Sequence, residues 1–284
     1  MLKHRLPTGA ALIALAIGLA WTDGWVESQW HLRGLALALI ALPIIGLAAA
    51  ELSVMLRESG ARISSALGVG SAVAGFLIGA AAAMAPVDTP TVTIITPLIA
   101  AWLLATLVAV SWPKRTDGAL LGMGAAALTL VYLGLIPAYY LVLRQHVTAW
   151  ALIAVILIVK SSDIGAYFTG RLIGRHKLIP WLSPGKTWEG LVGGMAFAAL
   201  VAVGVSTLGG SLIDFPLAPL QAAVMGAALA LIGPCGDLTI SLFKRDSGLK
   251  DSSGALPGLG GVLDVVDSLI FAAPAAHWLI IALS

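Results

Sequence analysis

The chain has 284 residues, of which 59% are hydrophobic and only 11% charged, with a formal net charge of +2 at pH 7. Soluble domains carry about 25% charged residues, so a soluble globular protein is excluded, and so small a net charge offers no electrostatic footprint for nucleic acid. Cys235 is the single cysteine, which rules out an intrachain disulfide.

Apolar runs near the ~20 residues needed to cross hydrocarbon recur from end to end. They predict an all-α, polytopic transmembrane helical bundle of about nine spans, at residues 10–25, 35–55, 63–84, 92–112, 119–143, 148–168, 187–208, 220–243 and 262–283. The first run resembles a signal peptide. It lacks a small-x-small cleavage site before the acidic, Trp-containing loop that follows, and is read as a retained span. There is no internal repeat, no low-complexity segment and no soluble domain. Residues 1–145 hold about five N-terminal spans, and 146–284 hold the remaining spans with two distinctive polar loops.

Basic residues give an independent test of this map. With the N-terminus cytoplasmic, the inside segments hold Lys3, Arg5, Arg57, Arg62, Lys114, Arg115, Arg171, Arg175, Lys177, Lys186, Lys244, Arg245 and Lys250. Only Arg33 and Arg144 fall outside, and Lys160 lies within the sixth span. Short cytoplasmic loops are rich in Lys and Arg, so the expected orientation is N-in, C-out in the plasma (inner) membrane. The two polar loops, 170–190 and 244–261, then face the same, cytoplasmic side. Tyr139, Tyr140, His277 and Trp278 read as packing or interface residues, and Glu51 closes an otherwise apolar run with no evident role.

Asp264 and Asp267 open the ninth span at i and i+3, which puts both carboxylates on one helical face. Capping against the helix dipole accounts for one of them more readily than for both. Asp237 and Asp163 are expected at the cytoplasmic ends of the eighth and sixth spans. Carboxylates brought to one membrane face by three helices suit a hard divalent cation such as Mg2+, which keeps waters and bridges to substrate phosphates. Ionisable groups at this depth are costly unless they have such a function. Asp237, Asp264 and Asp267 are the expected metal ligands, with room for a second cation.

Lys244, Arg245 and Lys250 flank these acids, interleaved with Asp246 and Asp251, and a glycine run containing Gly254, Gly258, Gly260 and Gly261 follows. Positive-inside bias explains any one of these bases. Taken with the glycines, whose amides can approach phosphate oxygens ahead of a helix N-terminus, they point to polyphosphate handling. The other loop adds Lys186 beside Thr187, a residue suited to cap the seventh span. Lys160, three residues before Asp163, is placed to pair with it or to snorkel.

At these residues the chain resembles the phosphatidate cytidylyltransferase (CDP-diacylglycerol synthase) family. The family signature is matched in spacing by Ser241, Lys244, Arg245, Lys250, Asp251, Pro257, Gly260, Gly261, Asp264 and Asp267. The stretches SSDIGAYFTGRLIGRHKL, SPGKTWEGLVGG and GPCGDLTISLFKR are similar too, so the likeness covers the chain from Lys160 onward. Leu259 stands where the signature has His, and Val265 where it has Arg.

The resemblance implies a membrane nucleotidyltransferase that joins CTP to phosphatidate. Asp237, Lys250, Asp251, Asp264 and Asp267 would be catalytic, and Asp163, Lys186, Ser241, Lys244, Arg245, Gly260 and Gly261 would bind substrate. A CTP enzyme acting on an isoprenoid-type lipid, a catalytically inactive relative and a membrane transporter are the competing readings. Clustering of the charges at one face, with no charged path to the other, argues against transport. Self-association, as a homodimer, is left open by the sequence.

Overall fold

A computed structural model describes residues 2–85, 90–112, 116–256, 258 and 260–284, with the side chains of 2–6 and 211 outside the description. Lys114, Arg115, Pro257 and Leu259 therefore lie outside the described residues. In chain order the helices are α1 (Leu2–Trp30), α2 (Leu35–Glu58), α3 (Ser65–Ala83), α4 (Thr91–Ser111), α5 (Ala119–Thr129), a π-helical turn (Leu130–Leu135) and α6 (Ile136–His146). They continue with α7 (Ala149–Ile173), α8 (Trp188–Leu208), α9 (Gly210–Ile213), α10 (Pro219–Asp246) and α11 (Val262–Leu283). Among the described residues, nine helical segments are long and apolar enough to cross a membrane, α5 to α6 counting as one. The polytopic helical bundle read from hydropathy is thereby observed.

Local chemistry sets several boundaries. Ser64, Thr148 and Thr187 each cap a helix, accepting at 3.1 Å from Leu67 N, Ala151 N and Gly190 N. The cap expected of Thr187 is present. Beyond the end of α1, His31 adopts φ 57, where a right-handed helix cannot continue.

Three features differ from the sequence expectation. The stretch after residue 21 is helix rather than an acidic loop, because Asp23 and Glu27 find a cationic partner in Arg144, described below. Loop 170–190 contains a short antiparallel pair, β1 (Lys177–Ile179) with β2 (Ser183–Thr187), which an all-α reading omits. Helices α7 and α10 also outrun their apolar stretches. Asp163 and Asp237 therefore sit about nine or ten residues, roughly 15 Å of helix, before the helix ends rather than at them. Hydropathy registers where apolar side chains stop, whereas the backbone stays helical until a breaker such as Gly174.

The chain divides into two compact units. One comprises Leu37–Val142 and Phe243–Val265 together with the start of α1; the other comprises Gly9–Ala36, Leu143–Leu242 and Val266–Ser284. Helices α10 and α11 each contribute to both. In the first unit, the π-helical turn packs its Gly134 against Gly75 of α3 so closely that a side-chain carbon on either would strike backbone. An apolar groove of about 700 Å³ runs between α3 and α4, lined by residues such as Gly70, Ala74, Leu98 and Trp102, with no ionisable side chain lining it among the described residues. In the second unit, α7 and α8 approach through Gly165 and Gly194, as small residues allow in membrane helices. Likewise Gly236 of α10 lies against the backbone carbonyl of Asp267 in α11. That contact brings Asp237 and Asp267 to neighbouring helices.

Candidate functional site

In the second unit, Asp163 from α7, Asp237 from α10 and Asp267 from α11 form an electrostatically linked acidic group with Lys160. Lys186, at the end of β2, reaches Asp237 at 2.7 Å and the Pro234 carbonyl at 3.3 Å. Lys160 pairs with Asp163 at 3.7 Å and donates to the Ser268 hydroxyl at 2.8 Å, and that hydroxyl donates to Asp163 at 3.2 Å. Of the two options open to Lys160, pairing is the one observed. Ser241 stands one turn after Asp237, its hydroxyl 3.4 Å from the carboxylate. Asp267 is buried, 8% exposed, and its Oδ1 accepts from the Ser268 amide at 2.5 Å. Asp163 and Asp237 remain open, with side chains 44% and 38% exposed.

In the first unit, Asp264 is the hub. Its Oδ1 accepts from Lys244 Nζ at 2.8 Å. Its Oδ2 accepts from Ser252 N at 3.1 Å, Ser252 Oγ at 2.7 Å and Gly261 N at 3.0 Å. Gly260 adopts φ 95, a left-handed conformation that excludes most side chains, and its amide donates to the Leu256 carbonyl at 3.1 Å. Glu51 of α2 accepts from Val262 N, Leu263 N and Ser253 Oγ at 2.9, 2.8 and 2.6 Å. The amides of Gly260, Gly261, Val262 and Leu263 are thus all committed to oxygens of the chain itself. The glycine loop shapes the site here rather than presenting free amides.

Arg245, Lys250 and Asp251 are exposed, and their side chains make no ion pair or hydrogen bond among the described residues. Their freedom suits groups that engage a ligand rather than hold the fold. Val265, at the signature's Arg position, follows Asp264 on α11 and is half-buried.

Sequence reasoning passed over Ser252, Ser253 and Ser268 and assigned Glu51 no role. The signal for Ser268 was its place beside Asp267; for Glu51, it was an acid set within an apolar run, which is costly unless partnered.

Among the described residues, no group of three or more His, Cys, Asp or Glu is set to hold a metal ion. The donor chemistry nonetheless fits magnesium. That ion is commonly held by one or two carboxylates plus waters and substrate phosphates rather than by an all-protein cage. Asp237 and Asp267, on adjoining helices with Asp163 nearby, offer such oxygens. Asp264 takes four donors from the chain, three on Oδ2 and Lys244 on Oδ1.

A third charged group lies elsewhere in the second unit. Arg144, 1% exposed, donates to Asp23 at 2.7 Å and also to Glu27, which in turn accepts from Arg33 at 2.6 Å. Asp23 further accepts from the Ala36 amide at the start of α2. This network links α1 and α6 and holds no free ionisable group.

The model of the cytidylyltransferase family matches residues 3–283. A phosphatidate cytidylyltransferase of Pseudomonas aeruginosa is 41% identical over 180 residues, 61% of this chain and 63% of its own length. One from Haemophilus influenzae is 38% identical over 186 residues, again 61% and 63%. An uncharacterized Escherichia coli protein is 45% identical over 121 residues, 43% of this chain and 39% of its own. The matched stretch therefore spans less than two thirds of these relatives.

Proposed function

The chain belongs to the cytidylyltransferase family, and from that premise we propose that it transfers the cytidylyl group of CTP to phosphatidate, giving CDP-diacylglycerol and pyrophosphate. One observation carries the reading: three helices and a strand bring Asp163, Asp237, Asp267, Lys160 and Lys186 into one mixed-charge cluster at the level of the membrane helices. Such a cluster matches a polyphosphate with its counter-cation, and charged groups within membrane helices are costly enough to mark function.

The chemistry follows from the substrates. A phosphate monoester has a second pKa near 6, so at neutral pH the lipid phosphate is already mostly a dianion and needs no protein base. One of its oxygens forms a bond to the α-phosphorus of CTP, the bond from that phosphorus to the bridging oxygen breaks, and pyrophosphate leaves with the electron pair. Positioning and charge compensation then carry catalysis. Asp237 and Asp267 would hold magnesium with Asp163 alongside, and the bound ion would neutralise charge on the nucleotide phosphates. Asp264 orders the loop that ends in α11 and keeps Lys244 extended. Lys186 and Lys160, drawn from their carboxylates, bind anionic oxygens; in the first unit, the exposed Arg245 and Lys250 are free to meet an anionic ligand. Ser241 donates a hydrogen bond to phosphate or to Asp237.

The acyl chains of the substrate stay in the bilayer, so a membrane-embedded enzyme meets its lipid by lateral diffusion and its nucleotide from water. The excess of Lys and Arg in one set of loops supports a cytoplasmic N-terminus and CTP-binding face, and an inner-membrane location. Asp267→Asn removes a charge without changing size. It is expected to abolish incorporation of radiolabelled CTP into lipid by membranes containing normal amounts of folded protein; wild-type turnover in that variant rejects the assignment.

A further inference from the structure

We infer that Glu51 is a positioning residue for the reaction: it clamps the start of α11 and the preceding loop into the geometry that Asp264 and Lys244 require. The inference rests on the function proposed above. Glu51 lies on α2, more than two hundred residues away in sequence, and is 8% exposed. One carboxylate oxygen takes Val262 N and Ser253 Oγ, and the other takes Leu263 N. No Lys or Arg pairs with it among the described residues. Its charge is balanced by the positive end of the α11 dipole and the amides there.

Helices ordinarily obtain such a cap from a Ser, Thr, Asp or Asn at their own N-cap. Here that place falls to Gly261, where a side-chain carbon would collide with the Ser252 hydroxyl and with both Glu51 oxygens. The chain has given up a local cap and admitted a distant carboxylate instead. As a result, two carboxylates divide the same backbone: Asp264 takes the amides of Ser252 and Gly261, and Glu51 takes the next two together with Ser253. Releasing Glu51 frees the loop that holds Asp264, and with it the direction in which Lys244 points.

Glu51→Gln keeps size and replaces one acceptor oxygen by a donor facing an N–H. Two measurements on the full chain in detergent with diacylglycerol phosphate test the role. The Val262 and Leu263 amides should exchange with deuterium about tenfold faster, as loss of a buried hydrogen bond implies. The KM for CTP should rise about tenfold, with the unfolding midpoint close to wild type. A cap that serves folding alone would lower the amount of active protein and leave KM where it was, so faster exchange with unchanged KM overturns the inference, as does unchanged exchange. If Glu51→Gln does not accumulate, Ser253→Ala removes one donor only and should raise KM about threefold; no rise overturns the inference. If the wild-type protein consumes no CTP, the proposed function fails, and amide exchange still decides whether Glu51 holds the loop.

Discussion

The Lys244–Asp264 pair should be markedly asymmetric, and the asymmetry can be worked out from the bonds. Lys244→Met removes one charge-assisted partner but leaves the Asp264 carboxylate three donors, Ser252 N, Ser252 Oγ and Gly261 N. The loss is then one hydrogen bond to a charged group, about 1.5–3 kcal/mol at most, and closer to the lower figure because the carboxylate stays solvated by the remaining three. Asp264→Leu strips the acceptor from four donors together, among them the Lys244 ammonium, whose side chain is only 16% exposed. Orphaning a buried charge costs about 3–5 kcal/mol. The pair should therefore show a difference of about 2 kcal/mol between the two single variants, and a coupling of about 1–3 kcal/mol in the double variant. Reversible unfolding in mixed micelles, followed by the fluorescence of the nine Trp residues, reads all four proteins of the cycle. Equal costs, or a larger cost for Lys244→Met, would refute the reasoning, since they would mean that Asp264 is not the hub of the loop.

Arg144→Ala should destabilise by about 3–5 kcal/mol, because the buried Asp23 loses its guanidinium partner, and Asp23→Asn in the same chain should recover much of the loss; the same unfolding assay checks both. Gly236→Ala forces a methyl group against the Asp267 carbonyl, which backbone cannot yield. It should cost about 1–3 kcal/mol and reduce CTP turnover at least tenfold by parting Asp237 from Asp267, read as lipid labelling per folded protein. Chelation of divalent cations should stop labelling, and added Mg2+ should restore it; undiminished activity in chelator would remove magnesium from the scheme.

Much of the fold is legible in the sequence, because a bilayer is a demanding solvent. Every backbone amide in hydrocarbon needs a partner within its own helix, so apolar length alone predicts helices. The nine predicted runs accordingly coincide with nine helical segments among the described residues, with α11 beginning at Val262 as read. The same cost makes a charge within an apolar run conspicuous, which is why Asp163, Asp237, Asp264, Asp267 and Lys160 stand out from their neighbours by composition alone. What hydropathy does not register is how far α7 and α10 continue past their apolar stretches, since a helix end is decided by breakers and caps rather than by burial.

Partnership was decided only by tertiary structure. Nothing local in the sequence links Glu51 to Leu263, Arg144 to Asp23 or Lys186 to Asp237; each bond closes a long loop of chain that only the packed helices hold shut. The glycine run illustrates the division most clearly. Its composition points to amides approaching phosphate oxygens, since a residue without a side chain permits a close approach. Whether those oxygens would belong to a ligand or to the protein depends on which helix lies opposite. In this fold, at Gly261, the neighbours are Glu51 and Ser252.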